Sequence, residues 1–154
     1  MKKILVIEDD NSIRETLLEI LEARGFEAVG ARNGQLGIQL AVAQVPDVIL
    51  SDVMMPELNG FEVFAAVRSH PTTARIPFIF MTGSEMEQAL ELKADGYLPK
   101  PCSVKEMVGA IALLLEKSAA TNGKSAKIQA NSAKQPQNLR ELHQTARFEL
   151  PSLC

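Results

Sequence analysis

The chain has 154 residues, 46% hydrophobic and 23% charged, which suits one globular domain with some chain left over. Its net charge of −3 and pI near 5.4 exclude a basic surface built to coat nucleic acid. Only four apolar residues (4–7) follow Lys2-Lys3, against ~7–15 in a secretory signal, and no run approaches the ~20 of a membrane span, so a cytoplasmic protein without membrane contact is expected.

The first apolar run, 4–7, suits a buried strand. Ile13, Leu17, Leu18, Ile20 and Leu21 follow at helical spacing, with Asn11 and Ser12 as candidate caps and Gly25 as a stop. Residues 26–30 suit a second strand. Leu36, Leu40 and Ala43 mark a second helix that Pro46 ends. A third strand at 48–50 leads to a helix marked by Phe61, Val63, Phe64 and Val67. A fourth strand at 77–81 is followed by a short helix between Glu85 and Lys93. A fifth strand at 97–98 precedes a last helix over 104–117, with Met107, Val108, Ile111, Leu114 and Leu115 apolar.

Five strand–helix units imply an α/β fold, a doubly wound five-stranded parallel sheet with helices on both faces. Near-continuous apolar strands fit a sheet buried on both sides. The organisation expected is one domain over 1–117, a flexible linker or tail over 118–138, and a tail over 139–154. In that last stretch Leu139, Leu142, Ala146 and Leu150 could form a short amphipathic helix. The split is one of charge as well as composition. Residues 1–117 hold 11 Lys/Arg and 17 Asp/Glu, net −6, whereas 118–154 hold 5 and 2, net +3. From 118 to 138 the only large apolar residue is Ile128, too little burial to offset chain entropy. Cys102 and Cys154 form no metal or redox spacing, and free thiols are expected.

In open parallel sheets the functional groups lie beyond the carboxyl ends of the strands. Glu8, Asp9 and Asp10 follow the first strand, Asp52 the third, Thr82 and Gly83 the fourth, Lys100 and Pro101 the fifth. Gathered carboxylates repel, and a hard divalent cation is the natural compensation. Magnesium takes oxygen ligands, one or two carboxylates among them. Glu8, Asp9 and Asp52 can supply these, together with a backbone carbonyl in the loop after Asp52. Asp10 borders the first helix and suits a cap instead. Alone, Asp52 would fit a turn or a cap, Lys100 a surface lysine, and Thr82 a strand end. Together, a carboxylate beside metal ligands and a lysine suits a nucleophile toward phosphorus.

The motifs Ile4-Leu5-Val6-Ile7-Glu8-Asp9-Asp10, Ser51-Asp52-Val53-Met54-Met55-Pro56 with Asn59-Gly60, Met81-Thr82-Gly83 and Asp95-Gly96-Tyr97-Leu98-Pro99-Lys100-Pro101 each stand at a strand end. In that order they closely resemble the response-regulator receiver family over about residues 2–117. The resemblance implies the CheY-like and flavodoxin-like strand order 2-1-3-4-5. It implies that Asp52 accepts a phosphoryl group from a sensor histidine kinase or phosphotransfer protein. Glu8, Asp9, Asp52 and the Met54 carbonyl would hold Mg²⁺, Lys100 would contact the phosphoryl group, and Thr82 and Tyr97 would be the switch pair. Signalling would run through a protein-binding face to a downstream protein. Enzyme activity beyond intrinsic phosphoryl transfer and self-dephosphorylation is not expected. Neither is direct nucleic-acid binding, because the 37 residues after Lys117 carry no helix-turn-helix pattern. A phosphorelay intermediate and a receiver fragment of a longer DNA-binding regulator are the alternatives.

Three departures stand out. Thr82 and Lys100 are 18 positions apart, about four fewer than is usual in the family, or roughly one helical turn. Cys102 replaces the family's usual Phe. The last helix has no arginine and few charges, unlike the charge-laddered dimers of DNA-binding members. Other classes fit less well. A dinucleotide-binding protein would need a glycine-rich loop where this chain has three acids. A haloacid-dehalogenase phosphatase would need an acid at Met54.

Overall fold

The computed structural model describes residues 1–123. Five strands alternate with five helices. These are β1 (Lys3–Ile7), α1 (Asn11–Ala23), β2 (Glu27–Ala31), α2 (Gly34–Gln44), β3 (Val48–Asp52), α3 (Gly60–Ser69), β4 (Phe78–Thr82), α4 (Met86–Glu91), β5 (Gly96–Pro99) and α5 (Val104–Gly123). All pairings are parallel, in the order β2-β1-β3-β4-β5. The expected architecture and strand order are thus both present.

The two-residue period of the strands divides the core into two layers. Ile4, Val6, Val48, Leu50, Ile79, Met81 and Leu98 pack with Leu17 and Leu21 of α1 and Met107, Ile111 and Leu114 of α5. Leu5, Ile7, Ile49, Phe78, Phe80 and Tyr97 pack with Ala41 of α2, Val63, Phe64 and Val67 of α3, and Ala89 of α4. Burying a large aliphatic or aromatic side chain in either layer contributes about 1.5–3 kcal/mol.

Side-chain caps fix where the helices start. Asp10 accepts from the Ile13 N–H at the start of α1, as its position beside the helix suggested. Asn59 and Glu62 cap α3 reciprocally, each side chain accepting from the other's backbone N–H. Gly60 lets α3 begin hard against the end of β3, since a Cβ there would lie 2.9 Å from the Val53 Cα. Its own N–H donates to the Val53 carbonyl at 2.8 Å. The start of α3 is thereby fixed against the loop that carries Asp52.

Some sequence expectations shift. The strand edges move by one or two residues. The last helix continues to Gly123, past the expected boundary at 117, because Ser118-Ala119-Ala120 are good enough helix formers to extend an anchored helix. The remainder of the expected linker, and the possible helix near Leu139–Leu150, lie outside the described residues. Cys102 is 1% exposed and disulfide-bonded rather than free. A spacing argument tests only local cysteine pairs, so it could not find this. The fourth helix is short, as the Thr82–Lys100 spacing suggested, with six residues. Among the described residues no helix is long and apolar enough to cross a membrane.

Candidate functional site

Four strands deliver the site's residues to one rim. Asp52 is the last residue of β3 and is paired with Met81, which places Thr82 one step further along β4. The Lys100 N–H donates to the Thr82 carbonyl at 2.6 Å, so the chain after β5 stays bound to β4. At the end of β1 the Glu8 N–H donates to the Ala31 carbonyl of β2 at 3.0 Å. Arg14 of α1 donates to the Glu8 carbonyl at 2.8 Å and to Asn11 Oδ1 at 2.6 Å. This clamp fixes the turn that presents Glu8 and Asp9.

Lys100 Nζ lies 2.8 Å from Asp52 Oδ1 and 3.8 Å from Glu8 Oε1. Asp52 is 6% exposed and Glu8 2%, so this pairing is far better shielded than a surface ion pair. The Lys100–Pro101 peptide bond is cis. Glu8, Asp9 and Asp52 each bring a carboxylate oxygen within 4.8 Å of the others. Asp9 is exposed, which leaves the cluster open on one side.

Charge and burial oppose each other here. Burial pushes the Glu8 carboxyl up, the Asp10 N–H lowers it, Asp52 raises it and Lys100 lowers it, with a net rise from 4.5 to about 7. Burial of the Lys100 ammonium pulls its pKa down. The hydrogen bond and charge of Asp52 outweigh that, so the direction is up. One cation thus faces two buried acids, Asp52 and Glu8. Glu8 Oε1 is buried and makes no hydrogen bond, while its Oε2 accepts from the Asp10 N–H at 3.1 Å. An orphaned buried carboxylate oxygen inside an all-oxygen donor set fits a hard divalent cation.

The remaining predicted residues stand nearby. Thr82 is fully buried, and its hydroxyl donates to Met86 Sδ at 3.4 Å. Tyr97 lies 9% exposed in the α2–α4 layer, its ring 6.3 Å from that of Phe80, and burial first pushes its phenol up. Met54 turns its side chain outward, 64% exposed. The structure therefore brings Glu8, Asp9, Asp52 and Lys100 together, and it places Thr82 and Tyr97 along the neighbouring strands.

Sequence reasoning missed the supports. Glu85 accepts from the Gly83 N–H at 3.1 Å and from the Ser84 hydroxyl at 3.0 Å, which shapes the loop after Thr82. Asp95 accepts from the Phe78 N–H at 2.8 Å and pairs with Arg68, whose guanidinium lies 4.9 Å from the Phe64 ring centroid. Arg68 also donates to the Ile76 carbonyl at 2.7 Å.

Comparison with known proteins agrees with this geometry. Residues 4–112 match the family model of the response regulator receiver domain. Over 122 residues the chain is 39% identical to the transcriptional regulatory protein CpxR of Escherichia coli (strain K12), covering 77% of this chain and 51% of that protein. It is 34% identical over 125 residues to the response regulator MprA of Mycolicibacterium vanbaalenii, covering 79% and 53%. The crystal structure of a response regulator receiver domain protein from Clostridium thermocellum superposes with a TM-score of 0.73 at 26% identity, covering 77% of this chain and 98% of that one. The chain spans about half the length of the curated relatives it matches.

Proposed function

The chain belongs to the response regulator receiver family, and from that premise we propose that it takes a phosphoryl group onto Asp52 and changes a protein-binding face in response. The observation that carries this reading is the Lys100 ammonium held 2.8 Å from a buried aspartate inside a three-carboxylate cluster.

The donor is a phosphohistidine on a sensor histidine kinase or phosphotransfer protein. A carboxylate oxygen of Asp52 attacks phosphorus in line, forming the O–P bond of an acyl phosphate. The P–N bond breaks, the imidazole nitrogen keeps the electron pair and takes up a proton. Glu8, Asp9 and Asp52, with the Met54 carbonyl, would hold Mg²⁺, which would supply positive charge to offset that of the phosphoryl oxygens. Lys100, a compact charge with rotatable donors beside Asp52, supplies a further positive charge. Positioning and charge account for most of the rate, because the protein has little covalent chemistry to do.

Once Asp52 carries the phosphoryl group, the Thr82 hydroxyl bonds a phosphoryl oxygen and Tyr97 changes rotamer. The surface of α4, β5 and α5 then differs between the two states. Attack by water on the acyl phosphate returns the resting protein. The chain is not an enzyme for a separate substrate, it acts in the cytoplasm through protein contacts, and residues 1–123 do not touch nucleic acid. A second reading has one observation in its favour: the match covers only about half of each curated relative, and CpxR is a transcriptional regulatory protein. The same switch would then drive a DNA-binding part beyond the receiver.

Intact-protein mass after incubation with a small phosphodonor tests the core of this proposal. A single phosphoryl adduct should form in the presence of Mg²⁺, and it should be absent with EDTA and absent in Asp52→Asn. An adduct that persists in Asp52→Asn would reject it.

A further inference from the structure

Thr82 presents a buried hydroxyl at the rim, and that hydroxyl donates to the thioether of Met86, the first residue of α4. A thioether is a weak acceptor, and a phosphoryl oxygen is a strong one. Met86 also packs, half-buried, against the core layer that holds Phe80, Ala89 and Tyr97. A single flexible side chain thus touches the switch hydroxyl on one side and the layer of the switch aromatic on the other.

We propose that Met86 is a positioning residue, whose sulfur holds the Thr82 hydroxyl in the resting arrangement and releases it when a phosphoryl group arrives at Asp52. The inference rests on the phosphoryl-acceptor reading above. A resting acceptor that is too strong would oppose the exchange of hydrogen bonds, and no acceptor would favour it. A ligand shifts a two-state equilibrium only by its differential affinity for the two states, so the acceptor strength at residue 86 tunes apparent phosphoryl affinity directly. The shortness of α4 sharpens the effect. The helix has six residues and Glu85, its N-cap, makes no side-chain capping bond to it.

The test measures binding of beryllofluoride with Mg²⁺, a phosphoryl mimic, by the emission of Tyr97, the only tyrosine in a chain without tryptophan. Met86→Leu keeps the apolar bulk and removes the acceptor, and should bind about 3-fold more tightly. Met86→Gln supplies a stronger acceptor and should bind about 3-fold more weakly. Both effects should vanish in a Thr82→Val background, where there is no hydroxyl to hold. Thermal melting of each variant confirms that it is folded. Shifts of the same sign in both variants, or shifts that survive Thr82→Val, would mean that Met86 acts through packing alone and would overturn the inference. Wild-type binding with unchanged variants would overturn it while leaving the phosphoryl-acceptor reading standing. Failure of the wild type to bind the mimic would reject both.

Discussion

Lys100 Nζ is hydrogen-bonded to Asp52 Oδ1 at 2.8 Å across 48 positions of sequence, which joins the end of β3 to the loop after β5. The lysine side chain is 29% exposed and the aspartate 8%, so the pair is partly withdrawn from water. Replacing Lys100 with Met should leave the buried acids uncompensated. The metal-free protein should lose about 2 kcal/mol in urea unfolding, and the rate of adduct formation from a small phosphodonor should fall about 100-fold. An unchanged rate would remove Lys100 from the chemistry.

Metal binding gives a second prediction. Three carboxylates within 4.8 Å should bind Mg²⁺ in the folded chain and not in the unfolded one. Saturating the site at 100 times its dissociation constant should stabilise the protein by about 2.7 kcal/mol. Asp9→Asn should remove most of this stabilisation with little effect on the metal-free melting temperature, because Asp9 is exposed. Calorimetry with Mg²⁺ and with EDTA measures both.

The pH dependence has a definite sign. Burial is the largest cause that lifts Glu8 from 4.5 to about 7. Between these values the folded, metal-free protein keeps a proton that the unfolded chain has released. Stability therefore falls as pH rises from 4.5 through about 7 and levels off above. The loss is on the order of 3 kcal/mol. Glu8→Gln should flatten it, which paired urea titrations in EDTA at about pH 5 and pH 8 would measure. An identical slope in the variant would place the titration elsewhere.

Gly60 links fold and site. A Cβ there would collide with the backbone of Asp52 and Val53, which have no flexible end to move. Gly60→Ala should destabilise the protein by about 2–3 kcal/mol. It should also slow adduct formation more than a core change of similar cost such as Ile111→Ala in α5, because it shifts the loop that carries the acceptor.

Much of this was legible in the sequence, for physical reasons. Parallel strands buried on both faces leave unbroken apolar runs, so all five appeared, and the strand-end rule then gathered Glu8, Asp9, Asp52, Thr82 and Lys100 at one rim. Contacts that depend on side-chain direction were not legible. Arg68 and Asp95 are 27 positions apart, and neither position alone signals the other. Met86 looks like any apolar helix residue until its sulfur is seen beside Thr82. The end of α5 was missed because low apolar content was taken to end a helix that is anchored further back by Met107, Ile111 and Leu114. Phe26 fell outside β2 because its N–H closes the end of α1 on the Leu21 carbonyl, and the ladder starts at Glu27.

The most direct test is to locate the phosphoryl group itself. An acyl phosphate reacts with hydroxylamine to leave a hydroxamate, whereas a phosphate ester on a hydroxyl does not. After incubation with a small phosphodonor and Mg²⁺, then hydroxylamine, peptide mass spectrometry should find the hydroxamate on Asp52 alone. A hydroxamate on Asp9 or Glu8 instead, or a stable phosphate on Ser51 or Thr82 with Asp52 unmodified, would contradict the account.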